Sequence, residues 1–299
     1  MRCPLTLSTL SVTISVVWQT AASARTPRAA PAAYTHAQGG TSRVRRNVKK
    51  PAVLYRADPG VRRFVIVALP RTGTNYLRVT LNQHPNVVAN NELLSAEDPR
   101  WGDAPRTEMS SAELLRLGFD DFPRPESKTD VRAVGFKVLD HQLTPGQGRP
   151  GFLDLLSQDP DIRVVHLTRG NPLETLRSLT QAYQTRRWIA RSTRDLEDMP
   201  TVGLTPGQCR RFFERSERFA ARVRRVFAGH RVLELIYEEF CAEHAAQTRR
   251  ILDFLGVPVQ PLAVAALLKQ ENRELPAVVE NYRELRDAFR GTEYERLFP

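Results

Sequence analysis

Short apolar runs alternate with stretches of helical periodicity along most of this chain, and that alternation sets the expected fold. Residues 64–69 (Phe-Val-Ile-Val-Ala-Leu) form an unbroken, β-branched apolar run, the mark of a strand buried on both faces. Thr74 is a candidate helix N-cap, and Leu77 and Leu81, four apart, give residues 76–82 an apolar helical face. Further strands are expected at 87–89, 131–139, 163–167 and 232–236. Helices are expected from Ser110 or Ser111 to 117, then at 152–156, 172 to about 190, 206–228, 244–255, 262–269 and 282–289. Pro172 suits a first helical turn, where its missing N–H does no harm, and Gly256 marks a helix end. Strand, loop and helix recurring in that order predict an α/β protein: three layers, α/β/α, around a mostly parallel sheet. Such sheets bind ligands beyond the carboxyl ends of their strands.

The first 58 residues break this pattern. Residues 5–18 are apolar but interrupted by Ser and Thr, and Ala22-Ser-Ala24 has the form of a small-x-small cleavage site. A secretory leader or signal anchor (residues 1–24), a transit peptide, and a misassigned start codon all fit. The first allows membrane association through the N-terminus, and the last leaves the protein in the cytoplasm. Residues 25–58 are Ala-, Pro- and Arg-rich without periodicity and read as a disordered basic linker. The folded domain is expected over 59–299, its first ordered residue falling between 52 and 62.

Charge follows the same division. The chain carries 44 basic and 33 acidic residues, a net charge of +11. Eight of the basic residues and none of the acidic ones lie in residues 1–50, so the body is near balance at +3. A basic tail on a balanced body does not make a nucleic-acid-binding surface, and no nucleic-acid partner is expected. Cys209 and Cys241 read as small apolar side chains rather than a disulfide framework, and no Cys or His spacing suggests a metal.

The chemistry concentrates at the first strand. Pro70-Arg-Thr-Gly-Thr-Asn75 follows it and opens a helix, whose unsatisfied N–H groups and positive dipole end suit an anion. Gly73 permits close backbone approach to a phosphate. Thr72, Thr74 and Asn75 offer side-chain donors, and Arg71 adds a permanent charge with a fixed fork of N–H groups. The loop lacks the second glycine and the Gly-Lys-Ser/Thr of an ATP-binding loop, which argues against a kinase.

Residues 65–75 resemble the 5′-phosphosulfate-binding loop of sulfotransferases. The continuation through His84-Pro85 to Asn90-Asn-Glu-Leu-Leu94 is similar to bacterial carbohydrate-type members, including nodulation-factor sulfotransferases. The resemblance implies a P-loop-like fold that does not hydrolyse ATP. It also implies the co-substrate 3′-phosphoadenosine 5′-phosphosulfate (PAPS), no metal, and a carbohydrate or glycolipid acceptor. A protein tyrosine or small-molecule hydroxyl stays open as acceptor, as does a silent nucleotide-binding module. Val164-Val-His-Leu-Thr-Arg169, with Ser178 further on, matches the family's 3′-phosphate motif and assigns that phosphate to Arg169 and Ser178. Arg177 either assists there or stands on a solvated helix face, and the solvated face is preferred. Arg231 to Phe240 resembles the family's late strand, where Tyr237 is either a donor contact or a core tyrosine. Glu92 corresponds to the family's catalytic Glu. His141, after another strand, is the rival base, and His84 is expected to be structural. Arg71 would neutralise the leaving phosphate. Lys137 is read evenly as a helper in the reaction or as a surface lysine at a sheet edge.

Overall fold

The computed structural model describes residues 54–95, 101, 106–144, 148–188, 199–265 and 273–299. The expected leader and most of the expected linker lie outside these residues. The chain divides into two compact units, Met1–Lys49 and Lys50–Pro299, and the second holds everything described below.

Five parallel strands form the central sheet, in the order β3-β5-β2-β6-β7: β2 (Arg62–Ala68), β3 (Val87–Glu92), β5 (Ala133–Leu139), β6 (Arg163–Thr168) and β7 (Val232–Ile236). The first strand of the sheet is thus the central one, with later strands added on both sides. Its side chains alternate between two cores. Phe64, Ile66 and Ala68 pack on one face with Leu77, Leu81 and Ile251; Val65 and Val67 pack on the other with Phe136, Phe219 and Phe227. Both sets are fully buried, and each such large apolar side chain contributes about 1.5–3 kcal/mol by leaving water. That is why the 64–69 run carries no polar alternation.

Helices α1 (Thr74–Leu81), α6 (Tyr237–Ala242) and α7 (His244–Leu255) cover the first face. Helices α2 (Ser111–Phe119), α3 (Phe152–Gln158) and α5 (Pro206–Val226) cover the second. A third core joins α4 (Pro172–Thr185) to α5, α8 (Leu275–Val278), α9 (Tyr282–Phe289) and the tail. Ser110 caps α2 in a reciprocal capping box with Glu113, and Gly256 ends α7 in the left-handed region, as their sequences suggest. Among the described residues no helix is long and apolar enough to cross a membrane.

Several elements differ from expectation. Residues 54–56, expected in the linker, form β1 (Leu54–Arg56), paired antiparallel with β4 (Asp121–Pro123); a three-residue strand made by a partner 65 residues away leaves no local pattern. Helix α4 stops at Thr185, where Arg186 turns left-handed at φ 55°. Residues 262–265 are not helical, and the rest of the helix expected there lies outside the described residues. The two described cysteines are unbridged: Cys209 is buried on α5 and Cys241 exposed on α6.

Candidate active site

The loop after β2 is tied to itself before it can hold anything else. The Thr72 hydroxyl donates to the Leu69 carbonyl at 2.9 Å and is buried, so that proton serves the loop rather than a ligand. Arg71 adopts φ 70° and Gly73 φ 91°. Gly73, not Thr74, is the N-cap of α1, and no side chain caps it. The first-turn N–H groups therefore keep the donors that an anion would use. Thr74 is the first helical residue and is buried. A Cβ on Gly73 would lie 2.2 Å from Tyr237 Cδ2, so this position needs glycine for its backbone angle and for the ring beneath it.

Tyr237 opens α6 and links the loop to the second motif. Its ring packs on Gly73, and the Arg169 guanidinium sits over the ring, 5.2 Å from its centroid. Burial pushes its phenol well above the ordinary range. Arg169 follows β6 and meets Glu238 Oε1 through Nε at 3.2 Å and Glu174 Oε2 through Nη2 at 3.6 Å. The Gly170 N–H donates to the same Glu238 carboxylate at 2.8 Å.

The two motifs read separately in the sequence meet directly. Arg71 Nε donates to Ser178 Oγ at 3.1 Å across 107 residues of chain, and Nη1 donates to the Trp188 carbonyl. Arg177, expected in solvent, is 3% exposed and bonded to Glu174 and Gln181. The correction follows from packing: α4 is covered by α5 and the C-terminal elements, which leaves no solvated face at that turn. Burial, Arg169 and then Arg177 lower the Arg71 pKa from 12.5 to about 10. Three guanidinium groups thus converge with two carboxylates, Glu174 and Glu238, between them. An arrangement that penalises its own positive charge is stabilised by an incoming polyanion.

On the other side of the loop, Glu92 and Lys137 form a pair. Lys137 is 3% exposed on β5, the strand between β3 and β2, so it is not a surface lysine at a sheet edge. Its Nζ donates to Asn75 Oδ1 at 3.0 Å and lies 3.4 Å from Glu92 Oε1. Asn75 therefore acts here as an acceptor for lysine. Glu92 is the last residue of β3 rather than a loop residue beyond it. Ala89 pairs with Gly135, but Glu92, not Asn91, pairs with Lys137. This bulge of one residue turns Glu92 to the loop's side of the sheet, where regular pleating would have pointed it away.

His141 comes two residues beyond the end of β5. It is half exposed on a 3₁₀ turn, Asp140–Leu143, with Nδ1 3.9 Å from Asp140 Oδ1, beyond hydrogen-bond range. His84 is structural: the Asn86 N–H donates to its Nδ1 at 3.1 Å, so Nε2 carries the proton and donates to Pro258 O at 2.8 Å. Glu174, Glu238 and Trp188 went unmarked in the sequence. Glu238 alone had a signal, as the second residue of Tyr237-Glu-Glu.

The comparisons with known proteins bear on this site. Nodulation protein H of Rhizobium tropici is 38% identical over 241 residues, 80% of this chain and 94% of that protein. Nodulation protein H of Rhizobium meliloti (strain 1021) is 39% identical over 236 residues, 79% and 94%. The model of the sulfotransferase family matches residues 153–261, the span that carries Arg169, Ser178 and Tyr237. The chain belongs to the sulfotransferase family. It is a transferase with the α/β fold that its sheet displays. Among solved structures, the sulfotransferase from Alicyclobacillus acidocaldarius is 19% identical over 78% of this sulfotransferase and 92% of its own chain, with TM-score 0.46. Mouse sulfotransferase SULT7A1 complexed with PAP is 15% identical, over 79% and 88%, with TM-score 0.40.

Proposed function

We propose that this sulfotransferase moves a sulfuryl group from PAPS to a hydroxyl of a carbohydrate or glycolipid acceptor, with Glu92 as general base. One observation carries the donor reading: the uncapped loop helix and the guanidinium groups of Arg71, Arg169 and Arg177 come together at the carboxyl edge of the sheet. Arg169 and Ser178 suit a 3′-phosphate, while Gly73 and the first turn of α1 suit the 5′-phosphosulfate. Arg71, which already touches Ser178, reaches from one site toward the other. PAPS supplies the sulfuryl group. Glu92 accepts the acceptor's hydroxyl proton as the new S–O bond forms and the bond to the phosphate breaks. Lys137 orients Glu92 and stabilises charge on the transferring group. The carbohydrate acceptor is supported by the likeness of residues 76–94 to carbohydrate-type members and by the nodulation relatives.

Glu92→Gln tests the reaction apart from binding. Its turnover is expected to fall roughly 10²–10⁴-fold, the usual contribution of a general base, while calorimetry with adenosine 3′,5′-bisphosphate (PAP) gives the wild-type affinity. Near-wild-type turnover would move the role elsewhere, His141 being next.

A further inference from the structure

Two exposed aromatic rings lie at and just beyond the end of α4, where the main chain reaches Arg71. The exposed large apolar side chains among the described residues are Leu155, Tyr183, Trp188, Ile236, Val259 and Val264. The aromatic two lie together: Tyr183 is 55% and Trp188 46% exposed, their ring centroids 5.3 Å apart and their planes at 82°. Tyr183 is on α4, five residues beyond Ser178, about 7.5 Å along the helix axis. Arg186 ends that helix in the left-handed conformation, one that arginine rarely adopts. The turn brings the Trp188 carbonyl onto the Arg71 guanidinium. Backbone strain, open aromatic surface and contact with the central cation of the site coincide at one place.

We infer that Tyr183 and Trp188 form the platform on which a pyranose ring of the acceptor stacks; this deepens the carbohydrate reading and rests on it. A pyranose presents a face of C–H groups, weakly positive at hydrogen, with hydroxyls around its rim. The C–H face matches the negative face of an aromatic ring. The hydroxyls match the exposed polar side chains between the two rings in the chain, Gln184 and Arg186. A flat, apolar acceptor would call for an enclosed apolar pocket rather than an open platform edged with cations. The T-shaped pair offers two surfaces at right angles, which suits an oligosaccharide better than a single sugar.

Trp188 meets Arg71 through its main chain, so Trp188→Ala removes the ring and keeps that hydrogen bond. The chain has three tryptophans; Trp101 is buried, and Trp188 reports on solvent. The test uses the full chain saturated with PAP, titrated with cellotetraose and chitotetraose while tryptophan emission is followed, and in parallel the transfer kinetics with PAPS. In the wild type at least one tetrasaccharide is expected to blue-shift the emission, and Trp188→Ala should abolish that shift. The same variant should raise KM for the sugar about tenfold, the size of one ring contact, with kcat and PAP affinity little changed. Trp188→Phe should recover most of the KM. Equal sugar KM in wild type and Trp188→Ala overturns the platform while leaving the donor site intact. So does an emission shift with a tyrosine-containing peptide but with neither sugar, which would place a protein acceptor on the rings. Failure of the wild type to bind PAP sinks the donor reading and the platform with it.

Discussion

Arg71, Arg169 and Arg177 bring three positive charges to a place where Glu174 and Glu238 supply two negative ones. Burial first, and then the neighbouring charges of Arg169 and Arg177, depress the pKa of Arg71. At the same scale, Gly73 cannot take even a single methyl group without strain. An L-residue at φ 91° costs about 1–2 kcal/mol, and the Tyr237 ring adds a clash. Gly73→Ala is therefore expected to lower the denaturation midpoint and to lose PAP binding measured by calorimetry. Adding Tyr237→Ala relieves the clash alone, so the double variant should recover only part of the stability. The loop was legible as a sequence because strand, Gly and helix start are local. Arg177 was not: it neighbours the legible Ser178, but which face of α4 is covered depends on α5 and the C-terminal tail.

The bulge in β3 and the packing of β6 belong to the scale of elements. Glu92 was found by its motif, yet its orientation comes from pairing with β5 and is invisible in the 87–92 segment alone. His166 on β6 was unmarked for the same reason: it reads as one more residue of an apolar run. It is fully buried against α5 beside a cavity of about 190 Å³, and its Nδ1 lies 2.9 Å from Glu234 Oε2. Burial lowers its pKa from the ordinary 6.5, and Glu234 only partly opposes this. The unfolded chain then takes up a proton that the folded one resists. The stability contributed by neutral His166 is complete above the unfolded value of about 6.5 and is lost as pH falls through and below it. His84, whose pKa is also lowered by burial, acts in the same direction. Thermal unfolding is expected at a lower midpoint at pH 5.5 than at pH 7.5, with a smaller drop in His166→Gln. An identical drop in that variant would assign the pH dependence to other groups. On the helices, Cys209 is buried with its thiol pushed up to about 12, while Cys241 is exposed. Native alkylation followed by peptide mapping should modify Cys241 and spare Cys209 until the protein unfolds.

At the scale of the molecule, the fold brings together what the sequence separates. β2 is central, and the strands that follow it fall on both sides, so the loop after β2 receives Glu92 and Lys137 from one flank and Arg169, Ser178 and Tyr237 from the other. The two proposed phosphate motifs were readable one at a time, because each is a strand end running into a helix. Their direct contact through Arg71 was not, because it depends on the order of strands in the sheet. The platform of Tyr183 and Trp188 is beyond sequence reading altogether: two aromatic residues five apart say nothing about exposure. On the proposed function these pieces form one site for a 3′-phosphorylated sulfonucleotide. Calorimetric titration of PAP into the wild type and Arg169→Ala tests it most directly. Micromolar binding to the wild type without added metal is expected, weakened at least about tenfold in Arg169→Ala, since a charge-assisted phosphate contact contributes more than about 1.4 kcal/mol. Equal affinity in the two proteins, or binding of ATP with Mg²⁺ in preference to PAP, would contradict it.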